Sequence, residues 1–221
     1  MTFAAAYEDA PRVWGVGRLV VDGEVTPWPV AARDIDDEAE SQAARLAALG
    51  LGAGDLVLIV SRLSEAIHVV PLEKAAGHVG ALYSSADATP ADAFRTASLI
   101  RQLEPTAVVG VNGAVLEGVG ELGRDPADVF GPVPAIATAD EVAQAALAAA
   151  GLEARRWVKL GPTSAWEEAP GSLTYDAGRW EARHDGGEIV VTNLAPRLTP
   201  AERLRTGVHG RVAAPGTIVL A

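Results

Sequence analysis

Apolar and polar positions alternate from Trp14 to Val21 and again from Glu24 to Val30 around Asp22-Gly23, which predicts a small antiparallel hairpin with a tight turn. The period then changes. Ile35, Ala39, Ala43, Leu46, Ala47 and Leu49 recur mostly every three or four residues, the spacing of one helical face. Gly50, Gly52 and Gly54 end that helix, and Leu56-Val57-Leu58-Ile59-Val60, bounded by Asp55 and Ser61, suits a strand covered on both faces. An apolar helix over 65–76 and a short strand within 77–87 follow. Thr89-Pro90 then opens a third helix to about Leu103, with Thr as N-cap and Pro in the first helical position, and a strand covers 106–111.

From Asn112 to Pro134 the chain turns to glycine and acid, and an irregular excursion is expected. A short strand at 133–136, a capping box from Thr138 to Glu141, a helix to about Ala150 stopped by Gly151, and a strand at 157–160 complete this part. Beyond Gly171 turn residues come every 8 to 12 positions. Ser172 to Tyr175 and Arg179 to Arg183 read as a hairpin, Glu188 to Asn193 as a further strand, and Arg211 to Leu220 as one or two more. The predicted class is therefore α/β: a mostly parallel sheet layer with flanking helices, then a small antiparallel β region. A soft boundary falls near residue 165, giving 1–165 and 166–221 packed as one unit. Residues 1–12 form a mixed, alanine-rich start expected to be partly disordered.

Composition narrows the function classes. The 221 residues are enough to bury a sizeable core, and the absence of cysteine removes disulfides, thiolate metal sites and cysteine nucleophiles. Net charge is −11, and of 18 basic residues only Lys74 and Lys159 are lysine. No basic cluster exceeds Arg155-Arg156, so nucleic acid is not an expected partner. No apolar run approaches the length of a membrane span, and no basic segment precedes an apolar one at the N-terminus, so a soluble cytoplasmic protein is expected.

Few motifs carry chemistry. Asp34, Asp36, Asp37, Glu38 and Glu40 crowd the start of the first helix, where acids complement the helix dipole; a calcium loop would also need an intervening glycine and a spaced terminal Glu. Gly118-Val119-Gly120-Glu121-Leu122-Gly123 has the G-x-G-x-x-G spacing of a dinucleotide turn, but it does not follow a strand directly and it leads into Arg124-Asp125-Pro126, where no helix is expected to run. His68, His78, His184 and His209 have no shared metal-ligand spacing, and no serine sits in G-x-S-x-G. No catalytic or metal-binding residue is assigned. The five tryptophans are expected as core or interface anchors, with Trp166 a possible wall of a ligand pocket beside Gly161 to Ser164.

Two stretches carry a family resemblance. GLGAGDLVLIVSRLSEAIHVVPLEKAAGHVGALYSSADATPADAFRTASLIRQLEPTAVVG resembles the amino-terminal part of the adenylate-forming superfamily, which includes acyl-CoA synthetases, aryl-CoA ligases and nonribosomal adenylation domains. GGEIVVTNLAPRLTPAERLRTGVHGRV resembles their "GELVxTxLxxxxxPxxRYRTGD" segment, particularly in phenylacetate-CoA ligases. Gly161-Pro162-Thr163-Ser164 corresponds to the family's "YGPTE" turn or is simply a strand-end turn.

The resemblance also defines what is missing. The Ser/Thr/Gly-rich "SSGTTGxPK" loop that cradles ATP phosphates has no counterpart, since Ser84-Ser85 is too short and nothing of that composition lies between 112 and 160. Val208 stands after Arg205-Thr206-Gly207 in place of the aspartate that holds the ribose, and Ser164 stands where a magnesium-holding Glu is expected, with Glu167 or Glu168 as substitutes. The family's carboxy-terminal domain with its catalytic lysine would begin where this sequence stops.

These losses imply a truncated, adenylate-forming-like protein that works as a binding or interaction protein in acyl or aryl metabolism. The alternative is an AMP-forming acid-CoA ligase-like enzyme, or one subunit of a composite adenylation site. A ligand pocket is expected at Ser84, Thr163, Ser164, Trp166, Arg205 and Thr206, for a small acyl or aryl acid. No cofactor is expected, ATP, AMP or CoA entering only under the alternative. The partners expected are a second copy, giving a homodimer, or a complete enzyme of the family.

Overall fold

A computed structural model describes residues 13–221 except residue 63. The expectation for residues 1–12 lies outside the described residues. The predicted hairpin is β1 (Val13–Val21) and β2 (Glu24–Ala31), paired antiparallel with Val20 opposite Val25 across the Asp22-Gly23 turn. Its inner face carries Leu19, Trp28 and Val30. Gly17 lies so close to Ile67 that a Cβ there would sit 2.3 Å from the Ile67 Cγ2, so only glycine lets the hairpin approach the following layer.

The predicted helices and strands follow in order: α1 (Ala32–Ala48), β3 (Leu56–Val60), α2 (Ala66–His78), β4 (Leu82–Ala86), α3 (Ala93–Leu103) and β5 (Ala107–Val111). Thr89 makes no side-chain cap. Pro90–Asp92 is instead a single 3₁₀ turn ahead of α3, and Asp92 Oδ2 accepts from the Asp87 amide at 2.7 Å.

The expected excursion over 112–134 is largely helical. Asn112 caps α4 (Gly113–Glu121), its Oδ1 accepting from the Val115 amide at 3.0 Å, while Asp125 caps the short α5 (Pro126–Phe130). Val115, Leu116 and Val119 supply a buried helical face that the glycine-rich composition obscures. The G-x-G-x-x-G spacing therefore lies mostly inside a helix, contrary to expectation. Gly118 is required by packing, because a Cβ there would meet the Pro90 carbonyl oxygen at 2.3 Å.

Next come β6 (Ala135–Thr138), α6 (Glu141–Ala149) and β7 (Arg155–Leu160). The expected capping box is not formed. Asp140 is the N-cap, accepting from the Ala143 amide at 2.8 Å, and Thr138 ends β6 with its hydroxyl donating to Gln144 Oε1 at 2.6 Å.

The remaining strands are β8 (Thr163–Ala169), β9 (Ser172–Thr174), β10 (Trp180–Asp185), β11 (Glu188–Asn193), β12 (Leu204–Ala214) and β13 (Thr217–Leu220). The predicted hairpin between 172–175 and 179–183 does not form: β9 pairs with β8 and β13, whereas β10 pairs with β11 around Gly186-Gly187. Local turn chemistry at Asp176-Ala177-Gly178 cannot reveal that Ile218 takes the place opposite Leu173.

One mixed sheet of 11 strands, ordered β10-β11-β12-β13-β9-β8-β7-β6-β5-β3-β4, runs through the chain. Strands β4, β3, β5, β6 and β7 are parallel; every pairing from β7 onward to β10 is antiparallel. The turn Gly161-Pro162 makes that change of direction, and residue 165 lies within β8. Helices α3 to α6 cover one face of the parallel part through Leu58, Val108, Val111 and Phe130, while α1 and α2 cover the other through Leu46, Leu72, Val57, Ile59 and Val109. A third core, built on Trp180, Leu160, Leu173, Ile189 and Ile218, fills the antiparallel part and reaches the hairpin.

Candidate functional site

Polar side chains gather around the turn between β7 and β8, where parallel pairing gives way to antiparallel. There α1 presents Glu38 and Gln42, four residues apart and therefore on one face of the helix, both buried. Glu38 Oε2 accepts from the Thr163 hydroxyl at 2.8 Å, and Glu38 Oε1 accepts from the Trp180 indole at 2.8 Å and from Arg197 Nη2 at 2.5 Å. Arg197 lies over the Trp180 ring, 4.4 Å from its centroid. Gln42 spans two neighbours on β8: its Nε2 donates to Ser164 Oγ at 2.7 Å, and its Oε1 accepts from the Trp166 indole at 2.6 Å. Burial raises the Glu38 carboxyl above its ordinary range, and the Arg197 charge with the three hydrogen bonds only partly opposes it.

Beside them, at the carboxyl ends of the parallel strands, Glu65 Oε2 accepts from Lys159 Nζ at 2.5 Å and from the Ser61 hydroxyl at 3.1 Å. Burial is the largest influence on Glu65 and works against its ionisation, but the Lys159 charge and hydrogen bond, with His68 and the Ser61 hydroxyl, together outweigh it and the carboxyl falls below its ordinary value. His68 packs edge-on to Trp157, with ring centroids 6.2 Å apart. Burial and then the Lys159 charge lower its pKa to about 3, so it is neutral near pH 7.

The expected pocket residues do not meet in one place. Thr163, Ser164 and Trp166 are adjacent on β8, but all three are buried and bonded to α1. Ser84 lies on β4, the far edge of the sheet. Arg205 and Thr206 lie on β12. Arg205 Nε donates to Glu188 Oε2 at 2.7 Å and its Nη2 to Asp22 Oδ2 at 3.0 Å, while the Thr206 hydroxyl donates to the Ile189 carbonyl at 2.7 Å. Glu188 Oε1 is occupied by the Gly207 amide at 2.7 Å. Val208 packs against the core of the antiparallel part.

A cavity of about 700 Å³ opens elsewhere, at the amino ends of the parallel strands. β6 and β7 pair only through Ala137 with Arg155 and Thr138 with Arg156, and the cavity lies where they part. Its walls are mostly small and apolar, among them Ala107, Ala135, Ala137, Ala148 and Leu152, with Arg155, Glu153 and Glu167 at the polar positions. Sequence reasoning missed this cavity and the Glu38–Arg197 pair alike. A run of alanines is the only local sign of the first, and the second joins residues 159 positions apart. Among the described residues no group of three or more His, Asp or Glu side chains is placed to hold a metal ion.

In fold, this chain resembles part of an adenylate-forming domain. Among solved structures it is similar to 2-hydroxyisobutyryl-CoA ligase in its postadenylation state (TM-score 0.71, 16% identity, 94% of this chain and 50% of that one). It is also similar to the Klebsiella oxytoca NpsA N-terminal subdomain in complex with 3-hydroxyanthranilyl-AMSN (0.63, 16%, 93% and 61%) and to the anthranilate CoA ligase AuaEII in complex with anthranoyl-AMP (0.64, 16%, 95% and 47%). The chain thus spans about half the length of the first of these ligases. No family model and no curated protein matches its sequence. Among the described residues no helix is long and apolar enough to cross a membrane.

Proposed function

We propose that this protein is an adenylate-forming-like chain without adenylation activity of its own, acting in the cytoplasm as a binding or interaction protein in acyl or aryl metabolism. One observation carries the reading: the side chains that the resemblance would offer to a nucleotide are committed to the protein itself. The Thr163 hydroxyl is bound to Glu38, Ser164 and Trp166 are bridged by Gln42, and the half-buried Val208 packs against the core. A nucleotide would have to break these buried bonds, and each buried donor or acceptor left unpaired costs about 1–3 kcal/mol. No phosphate-cradling loop compensates. The ligand class that fits is a small acyl or aryl acid, and the 700 Å³ cavity is within the volume range of small-molecule sites. The expected partner is a second copy or a complete enzyme of the adenylate-forming type.

ATP–pyrophosphate exchange with a panel of carboxylic acids tests the reading, and no exchange above the protein-free control is expected. Exchange by the purified chain would establish the ligase-like enzyme instead. A thermal-shift panel of acyl and aryl acids tests the binding role. An acid at 100 times its dissociation constant should add about 2.7 kcal/mol of stability. Ala148→Phe, which fills the cavity from α6, should abolish that shift.

A further inference from the structure

The two edges of the 11-stranded sheet are built differently. At one end β10 reads Trp-Glu-Ala-Arg-His-Asp, and Arg183 and Asp185 are more than half exposed. Charges of this kind discourage another strand from adding to an edge. At the other end β4 reads Leu-Tyr-Ser-Ser-Ala, without a charge, a proline or a bulge. Leu82 and Tyr83 are 67% and 50% exposed. The Leu82 amide donates to the Asp55 carbonyl, and the Ala86 carbonyl accepts from the Ser61 amide, so these residues and Ser84 between them turn their backbone groups toward β3. By alternation, the N–H and C=O groups of Tyr83 and Ser85 point away from the sheet. They are a row without partners in the sheet, a template to which another extended strand can add.

We infer that β4 is the interface of a two-fold homodimer in which the β4 strands of two copies pair antiparallel about Ser84. The inference deepens the proposed self-association and rests on that part of the reading alone. The register follows from which groups are free. With Ser84 facing Ser84 of the second copy, Tyr83 lies opposite Ser85 of that copy and Ser85 opposite its Tyr83. Each of these two pairs exchanges both N–H···O=C bonds, so every outward backbone group of Tyr83 and Ser85 is used. Leu82 comes opposite Ala86 on one sheet face. On the other face Tyr83 lies over Ser85 of the second copy, whose hydroxyl donates to Glu73 Oε1 at 2.8 Å. A second copy is the occupant because this pattern is its own complement, as a two-fold interface requires. The overall charge of −11 on each chain opposes association, but pairing about Ser84 adds no local repulsion, because β4 carries no charged residue.

Light scattering coupled to gel filtration, at micromolar concentration and physiological salt, tests this with four variants whose folding is followed by circular dichroism. The wild-type chain is expected at twice its own mass. Ser85→Pro removes one outward amide without touching the bonds to β3, and Tyr83→Lys sets a charge on the edge; both should give folded monomers. Leu82→Lys, at a more exposed position, repeats the test should either of these misfold. Val16→Lys, on the exposed apolar face of the hairpin, should leave the dimer intact. A wild-type monomer would end the self-association reading altogether. A dimer that survives the β4 variants, or that only Val16→Lys disrupts, would overturn the β4 assignment while leaving self-association in place.

Discussion

Two glutamate–cation pairs stand near the turn between β7 and β8, and their carboxyls shift in opposite directions although burial pushes both upward. Glu38 and Arg197 have side chains only 5% and 4% exposed, and the carboxyl is raised because desolvation exceeds what the guanidinium and three hydrogen bonds return. Glu65 and Lys159 are 15% and 26% exposed, and there burial, still the largest influence, is outweighed by the ammonium together with the hydrogen bonds and His68, and the carboxyl is lowered. Chemistry and contact distance are nearly the same; access to water is not. The dry pair serves to locate α1 and the 194–203 loop against the antiparallel core, while the wetter pair fastens the start of α2 to β7.

The largest effect is expected from breaking the dry pair on one side only. Glu38→Ala leaves Arg197 buried without a counter-charge, together with unpaired Thr163 and Trp180 donors, and should lower the urea-unfolding free energy by about 3–5 kcal/mol. Replacing both members by hydrocarbon, as Glu38→Leu with Arg197→Met, should cost markedly less. If the double variant loses as much as the sum of its parts, the charge is not what makes the site sensitive. Next in size is Gln42→Ala, which strands Ser164 and the Trp166 indole in the same dry layer. Each unpaired group costs about 1–3 kcal/mol, so denaturation should show a loss near the upper part of that range.

This comparison also shows what a sequence can disclose. Element types were legible wherever spacing and punctuation agreed, as at Leu56–Val60 after its glycines or in the hairpin around Asp22-Gly23. The resemblance supplied the α/β plan as well. Composition misled over 112–134, where Asn112 and Asp125 start helices that glycine disguises. Thr163, Ser164 and Trp166 were legible as a group on one strand, but not the fact that α1 consumes them. That depends on Glu38 and Gln42, which read locally as members of an acidic, polar helix face; only the tertiary fold brings Thr163, 125 positions further along the chain, to Glu38.

The pairs also differ in pH response, and His68 beside the wetter pair should dominate the acid side. Its folded pKa of about 3 lies below the ordinary imidazole value of 6.5, so the unfolded chain binds the proton more readily and stability falls as pH drops from 6.5 toward 3. Between pH 7 and pH 5 this one group should remove about 2 kcal/mol, at about 1.4 kcal/mol per pKa unit. His68→Gln cannot take up that proton and should flatten the stability curve over the window by that amount. An unchanged slope would place the sensitivity elsewhere. Glu38 acts with the opposite sign: its raised carboxyl contributes stability at low pH that is lost as pH rises through the folded pKa.

The smallest effect is expected from opening the wetter pair. Lys159→Met removes the ammonium from Glu65, whose lowered carboxyl contributes stability above the unfolded value of 4.5 that is lost as pH falls through the folded pKa. With solvent screening a quarter-exposed ammonium, the cost at pH 7 should be about 1 kcal/mol and should shrink with added salt. The same substitution removes the second cause of the low His68 pKa, so His68 should protonate at higher pH and the acid-side loss should lessen. The variant should therefore start below the wild type at pH 7 and converge on it toward pH 4. Parallel stability curves would mean that Glu65 and His68 do not share Lys159 as their common neighbour, and the wet and dry pairs would then differ only in size.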